Sequence, residues 1–153
     1  MLAAREFRSK HFVFPVATPP TGEARRIVGT WRLMRTELPP ENRALRGESP
    51  IGIINYDANG YMAVQIAPDR ERKRFAVYSP TPDEAREAIT GYTAYFGTYS
   101  IDTAASTVTH HRVCSLTLGS RNDLVRRYRF VDDDHICLLP VESDNVLTWE
   151  RLA

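Results

Sequence analysis

The sequence predicts an all-β fold: an eight-stranded antiparallel up-and-down closed barrel with one inserted helix. Two observations carry that reading. About eight strand-like runs follow one another across mostly hairpin-length turns, so sequence neighbours should pair antiparallel. Gly29-Thr30-Trp31 opens the first run, and Leu147-Thr148-Trp149-Glu150-Arg151 ends the last. Trp31 and Arg151 can meet only if the first and last strands are neighbours, and a meander whose ends meet is a barrel. The guanidinium can then lie over the indole, a cation–π contact worth roughly 0.5–2 kcal/mol.

The elements follow in order. Residues 1–24 read as an arm, with a short apolar run, His11 to Val16, and a stiff Pro-rich linker, Ala17 to Gly22. That arm is expected on the outside of the barrel or on a partner chain, which would make a homodimer; a frayed tail is the alternative. Residues 25–153 form the barrel domain. Glu23 to Val28 gives a helical turn. The first strand runs from about Thr30 to Leu38 and stops at Pro39-Pro40, before a polar loop to Ser49. Ile51 to Tyr56 and Tyr61 to Ile66 are strands joined by Asp57-Ala58-Asn59-Gly60, where Asn-Gly supplies positive φ. The charged segment Pro68 to Pro80 is a solvated loop. Thr81, Pro82 and Glu84 together mark a helix start with a capping box, and the helix should reach about Thr93. Ala85, Ala88, Ile89 and Tyr92 form one stripe, expected to cover the barrel wall or mouth. Tyr95 to Ile101, Thr107 to Leu116, Leu124 to Val131, Ile136 to Val141 and Val146 to Arg151 are the remaining strands.

Composition excludes several classes. At 153 residues, 42% hydrophobic, 25% charged and net charge +1, this is one folded domain with no electrostatic case for nucleic-acid binding. The basic run Arg70 to Arg74 is nearly balanced by acids and has no stacking platform. No apolar run approaches the roughly 18 residues of a membrane span, and Met1 to Lys10 lacks the apolar region of a secretory signal. A cytoplasmic protein with free, buried Cys114 and Cys137 is expected; a disulfide would need another export route.

Strand alternation singles out candidate site residues. Val108, His110, Arg112 and Cys114 share one face of their strand, and Leu124, Arg126, Tyr128 and Phe130 share one of theirs. His110 and His111 therefore point to opposite faces and cannot hold one metal ion, so neither a metal nor a cofactor is expected. Outward Arg127 and Arg129 leave Arg126 and Tyr128 inward. His110 and Arg126 would be polar groups in an apolar barrel, needing a partner. Either they grip a carboxylate, enol or carbonyl oxygen of a ligand, or a cross-strand network with Tyr99 or Tyr61 satisfies them. Tyr95 and Tyr99 flank Gly97, which leaves room for a ligand or a bend. Tyr61 and Gln65 would suit ligand orientation if their face is inward, which alternation does not decide.

The segments Gly29 to Leu33, Gly60-Tyr61-Met62, Gly91 to Tyr99, Val108 to His111, Val125 to Tyr128 and Leu147 to Arg151 resemble the lipocalin-like domain family of calycin-type barrels, over roughly Ile27 to Leu152. Leu116 to Asp123 departs from the Pro-Asn bend usual there. The resemblance implies an internal cavity and also points to His110 and Arg126. The resulting expectation is binding of a small, largely apolar metabolite, with Tyr61, Gln65, Tyr95 and Tyr128 on the ligand. The alternative is a cofactor-independent cyclase or isomerase of secondary metabolism that folds a polyketide- or terpenoid-like substrate, with His110, Arg126 and Tyr99 catalytic.

Overall fold

The computed structural model describes residues 10, 13–119 and 122–153. Eight strands close into an antiparallel barrel: β1 (Gly29–Glu37), β2 (Ile51–Tyr56), β3 (Tyr61–Ala67), β4 (Thr93–Asp102), β5 (Thr107–Ser115), β6 (Leu124–Phe130), β7 (His135–Pro140) and β8 (Val146–Arg151). Each strand pairs with the next, and β8 returns to β1 with Trp31 opposite Arg151. Closure leaves the sheet without a free edge strand. A 3₁₀ turn, Gly22–Ile27, leads into β1.

One end of the barrel is plugged. Trp31 is fully buried, its Nε1 donates to the Ile27 carbonyl (2.9 Å), and its ring leans on Phe130 (6.4 Å between centroids). Val108, Ile136, Leu138 and Trp149 continue the core towards the other end. In β3 the more apolar alternate set, Met62, Val64 and Ile66, faces inward, so Tyr61, Ala63 and Gln65 face out.

The opposite end is roofed by a helix where the sequence reading placed a loop. α1 (Pro40–Arg46) follows the strand-stopping prolines. Pro40 at its first position and Glu41 in its first turn are ordinary start signals, and Gly47 leaves the helix with φ 81°. The Asn42 amide donates to Asn145 Oδ1 (2.9 Å), and the Arg46 carbonyl accepts from Asp69 N (2.7 Å). These bonds tie α1 to the β7–β8 turn on one side and to the end of β3 on the other.

α2 (Pro82–Ile89) begins as expected. Thr81 Oγ1 accepts from Glu84 N, and Glu84 Oε2 accepts from Thr81 N. It ends four residues earlier than expected, because the chain reverses through Gly91 at φ 72° before β4. Its stripe does not cover the mouth: Ile89 is 54% exposed and no α2 residue is buried. The helix is instead held by its own leading loop, with Arg70 donating to the carbonyls of Glu87 and Thr90 and Arg72 to that of Ala88.

Two further expectations change. In the β2–β3 turn only Gly60 takes positive φ (98°), and the Asp57 side chain accepts from Asn59 N and Tyr61 N to hold the loop. A bulge between Phe96 and Gly97 then breaks the alternation of β5. Cys114 consequently pairs with outward Phe96 and leaves the His110 face. Gly97 serves that bulge rather than a ligand, since a Cβ there would meet the His111 carbonyl oxygen at 2.0 Å. Cys114 and Cys137 are both free thiols.

The described part of the arm lies on the outside of the barrel. Phe14 stacks on Phe96 (5.9 Å between centroids) and tilts against Tyr61 (5.6 Å). His11 and Phe12 of the apolar run, and Ser120 and Arg121 of the β5–β6 connection, lie outside the described residues. Among the described residues no helix is long and apolar enough to cross a membrane.

Candidate functional site

Between the Trp31 plug and the α1 roof lies a cavity of about 90 Å³. Its walls are mostly apolar, with Ile54, Val64, Ile66, Leu138 and Leu147 among them. The ionisable side chains that reach it are Tyr95 from β4, His110 from β5, Arg126 from β6 and Arg46 from α1, with Thr36, Thr93 and Asn145 as further polar neighbours. Trp149 of β8 completes the wall.

His110 is the centre of this arrangement. It is 1% exposed, and its two ring nitrogens meet two tyrosine hydroxyls: Nε2 meets Tyr56 at 2.7 Å and Nδ1 meets Tyr95 at 2.8 Å. Burial, followed by the charges of Arg126, His111 and Arg112, pulls the imidazole down to about 3, so it is neutral at physiological pH. A neutral imidazole has one donor and one acceptor. The tautomer follows from what each tyrosine can do with its own proton. Tyr56 is buried and its hydroxyl has no other partner among the described residues, so it must donate to Nε2. Nδ1–H then donates to the Tyr95 oxygen, and the Tyr95 O–H is left to donate into the cavity. Burial raises both tyrosines, so both remain protonated; the Arg126 charge opposes the rise.

Alternation places the other expected residues as follows. Tyr99 is inward and buried, its ring edge on Tyr56 (4.9 Å between centroids), but its hydroxyl donates to the Asp57 carbonyl at 2.6 Å. That donor holds the β2–β3 turn and does not line the cavity. Burial, then Asp57, pushes its hydroxyl upward in pKa. Tyr128 is inward but low in the barrel, edge-on to Phe130 (5.8 Å), on the plug side. Tyr61 and Gln65 are on the outside, where Tyr61 packs on the arm and Gln65 accepts from Tyr92. His111 also faces out, between Ser100 and Asp123, as the opposite-face argument requires.

Three residues of the site were not among the sequence candidates. Tyr56 ends β2 in the same alternate set as Ile54, which marks its face as inward. Trp149 stands out as the second tryptophan, two residues before Arg151. Arg46 was assigned to a loop, and only recognition of α1 would have brought it to the mouth. Among the described residues no three His, Cys, Asp or Glu side chains gather as a metal site.

No curated protein matches the chain. The family model described as the lipocalin-like domain matches residues 28–152, from the last residue before β1 to one residue past β8. A match that spans every strand of a closed eight-stranded barrel, with Trp31 and Arg151 sealing one end, means that the chain belongs to the lipocalin-like domain family.

Proposed function

We propose that the protein binds a small, largely apolar metabolite inside the barrel, with an oxygen of that molecule accepting from Tyr95. The observation that carries this reading is the internal cavity itself. Apolar walls enclose a few convergent donors at one end, the pattern of a small-molecule site. The small volume favours a narrow aliphatic chain over a drug-sized molecule.

The cyclase or isomerase reading needs a group that carries a proton. His110 is a poor one, because its imidazole is held near 3 and both its nitrogens are already engaged by tyrosines. The donor end could polarise a carbonyl, but among the described residues no carboxylate and no free imidazole lines the cavity to take the proton that such an isomerisation removes. Binding is therefore the preferred function.

The test uses 1-octanol as probe, followed by methyl NMR. Octanol should shift the methyl signals of Ile54, Val64 and Leu138 in a saturable titration. Val64→Phe, which fills the cavity, should abolish the shifts while the barrel stays folded. Shifts confined to surface methyls would reject an internal site.

A further inference from the structure

The roofed end of the cavity presents hydrogen-bond donors and no acid. Its lining contains Arg46, Arg126 and Trp149 but neither Asp nor Glu. A terminal guanidinium nitrogen of Arg46 and Nε1 of Trp149 are buried without a hydrogen-bond partner among the described residues. Arg126 makes a long bond, 3.4 Å, to the adjacent Val125 carbonyl, and it stands close enough to the Tyr95 hydroxyl to hold back the rise of that group's pKa. Neither arginine joins an ion pair among the described residues. The Tyr95 O–H adds a further donor, because its oxygen takes the His110 Nδ1 proton.

The geometry points to a carboxylate-bearing ligand, its anionic head between Arg46 of α1 and Arg126 of β6 and its apolar body against Ile54, Val64 and Leu138. This rests on the binding function proposed above and names the class of molecule. Two guanidinium groups facing one partly desolvated space repel each other, and water supplies no counter-charge. A planar two-oxygen anion can turn one oxygen to each guanidinium, cuts the net charge of the pair from +2 to +1, and offers enough lone pairs for Tyr95 and Trp149 as well. A neutral alcohol or ketone would leave both charges uncompensated. Burial already presses the Arg46 guanidinium towards its neutral form, the direction expected of a cation lacking its partner. Because Arg46 belongs to the roof, the ligand would also fasten α1 to the barrel wall.

Calorimetric titration with octanoate, 1-octanol and octylamine at pH 7 tests this. Octanoate should bind at least about tenfold tighter than octanol, and octylamine should bind weakest. Arg46→Met should weaken octanoate about tenfold more than it weakens octanol. Hydrogen exchange in α1 should slow with octanoate and not with octanol. Arg46 lies on the roof helix, outside the strands, so this substitution leaves the barrel ladders intact. Equal affinity for octanoate and octanol, unchanged by Arg46→Met, would overturn the carboxylate assignment and leave the binding function standing. Binding of none of the three probes would reject both.

Discussion

The Arg151 guanidinium lies over the Trp31 ring, 4.1 Å from its centroid, and donates to the carbonyls of Val28 and Arg26 at 2.7 Å each. One side chain on β8 thus holds the entry to β1, caps the plugging indole and closes the barrel seam. Gly29 makes this approach feasible: a Cβ there would sit 2.7 Å from the Arg151 Nη1 and 2.5 Å from the Ala153 carbonyl oxygen. Trp31→Ala should destabilise the barrel by about 3–5 kcal/mol, since it empties a fully buried aromatic site. Gly29→Ala should displace Arg151 and lower the urea midpoint as well. A midpoint unchanged by both substitutions would mean that the seam contributes nothing to stability.

The capping box of α2 gives a local prediction. Thr81→Ala removes one side of it and should cost the helix about 0.5–2 kcal/mol. Because α2 buries none of its residues, that loss should remain local. Amide exchange should accelerate through residues 82–89 while the global urea midpoint stays within experimental error. A global shift would show that the helix is coupled to the barrel after all.

The parts of this molecule that could be read from sequence are those specified by neighbours in the chain. Thr81, Pro82 and Glu84 define a helix start on their own, and Asp57 to Gly60 defines a turn. The barrel was legible because its two seam residues lie in recognisable strand ends. Pairing was not: the bulge that turns Cys114 outward exists only because Gly97 admits the His111 carbonyl. The outward face of Tyr61 and Gln65 had a usable signal, since Met62, Val64 and Ile66 are the more apolar set. For the candidate site, the inward faces of His110 and Arg126 were legible from alternation, whereas that of Tyr95 was not decided by it. Arg46 was not legible, because a seven-residue helix after two prolines has too few turns to show a period.

The His110 tautomer can be checked directly. If Tyr56 donates to Nε2, nitrogen NMR of the imidazole should show the protonated nitrogen to be Nδ1. Tyr56→Phe would leave Nε2 buried without a donor, at a cost of about 1–3 kcal/mol. It should also free the ring to adopt the other tautomer, with Nε2 protonated and Tyr95 now donating to Nδ1. Protonation at Nε2 in the unsubstituted protein would refute the assignment and remove the Tyr95 donor from the cavity.

The buried imidazole also predicts how stability changes with pH. His110 titrates near 3 in the folded chain and near its ordinary 6.5 when unfolded. As pH falls below 6.5 the unfolded state gains a proton that the folded state refuses, so folding weakens. The contribution of this group is complete above about 6.5 and is lost progressively down to about 3. Between pH 6.5 and 4 one such proton is worth on the order of 3 kcal/mol. Glu84, held below its usual range by the Thr81 and Ala76 amides, adds a loss of the same sign towards the acid end of that window. The decisive comparison is therefore with His110→Gln, which retains Glu84 and removes the imidazole. Urea midpoints should fall steeply from pH 6.5 to 4 in the unsubstituted protein and only slightly in His110→Gln. Parallel pH profiles would mean that His110 is protonated in the folded barrel, and the neutral Tyr56–His110–Tyr95 chain would have to be redrawn.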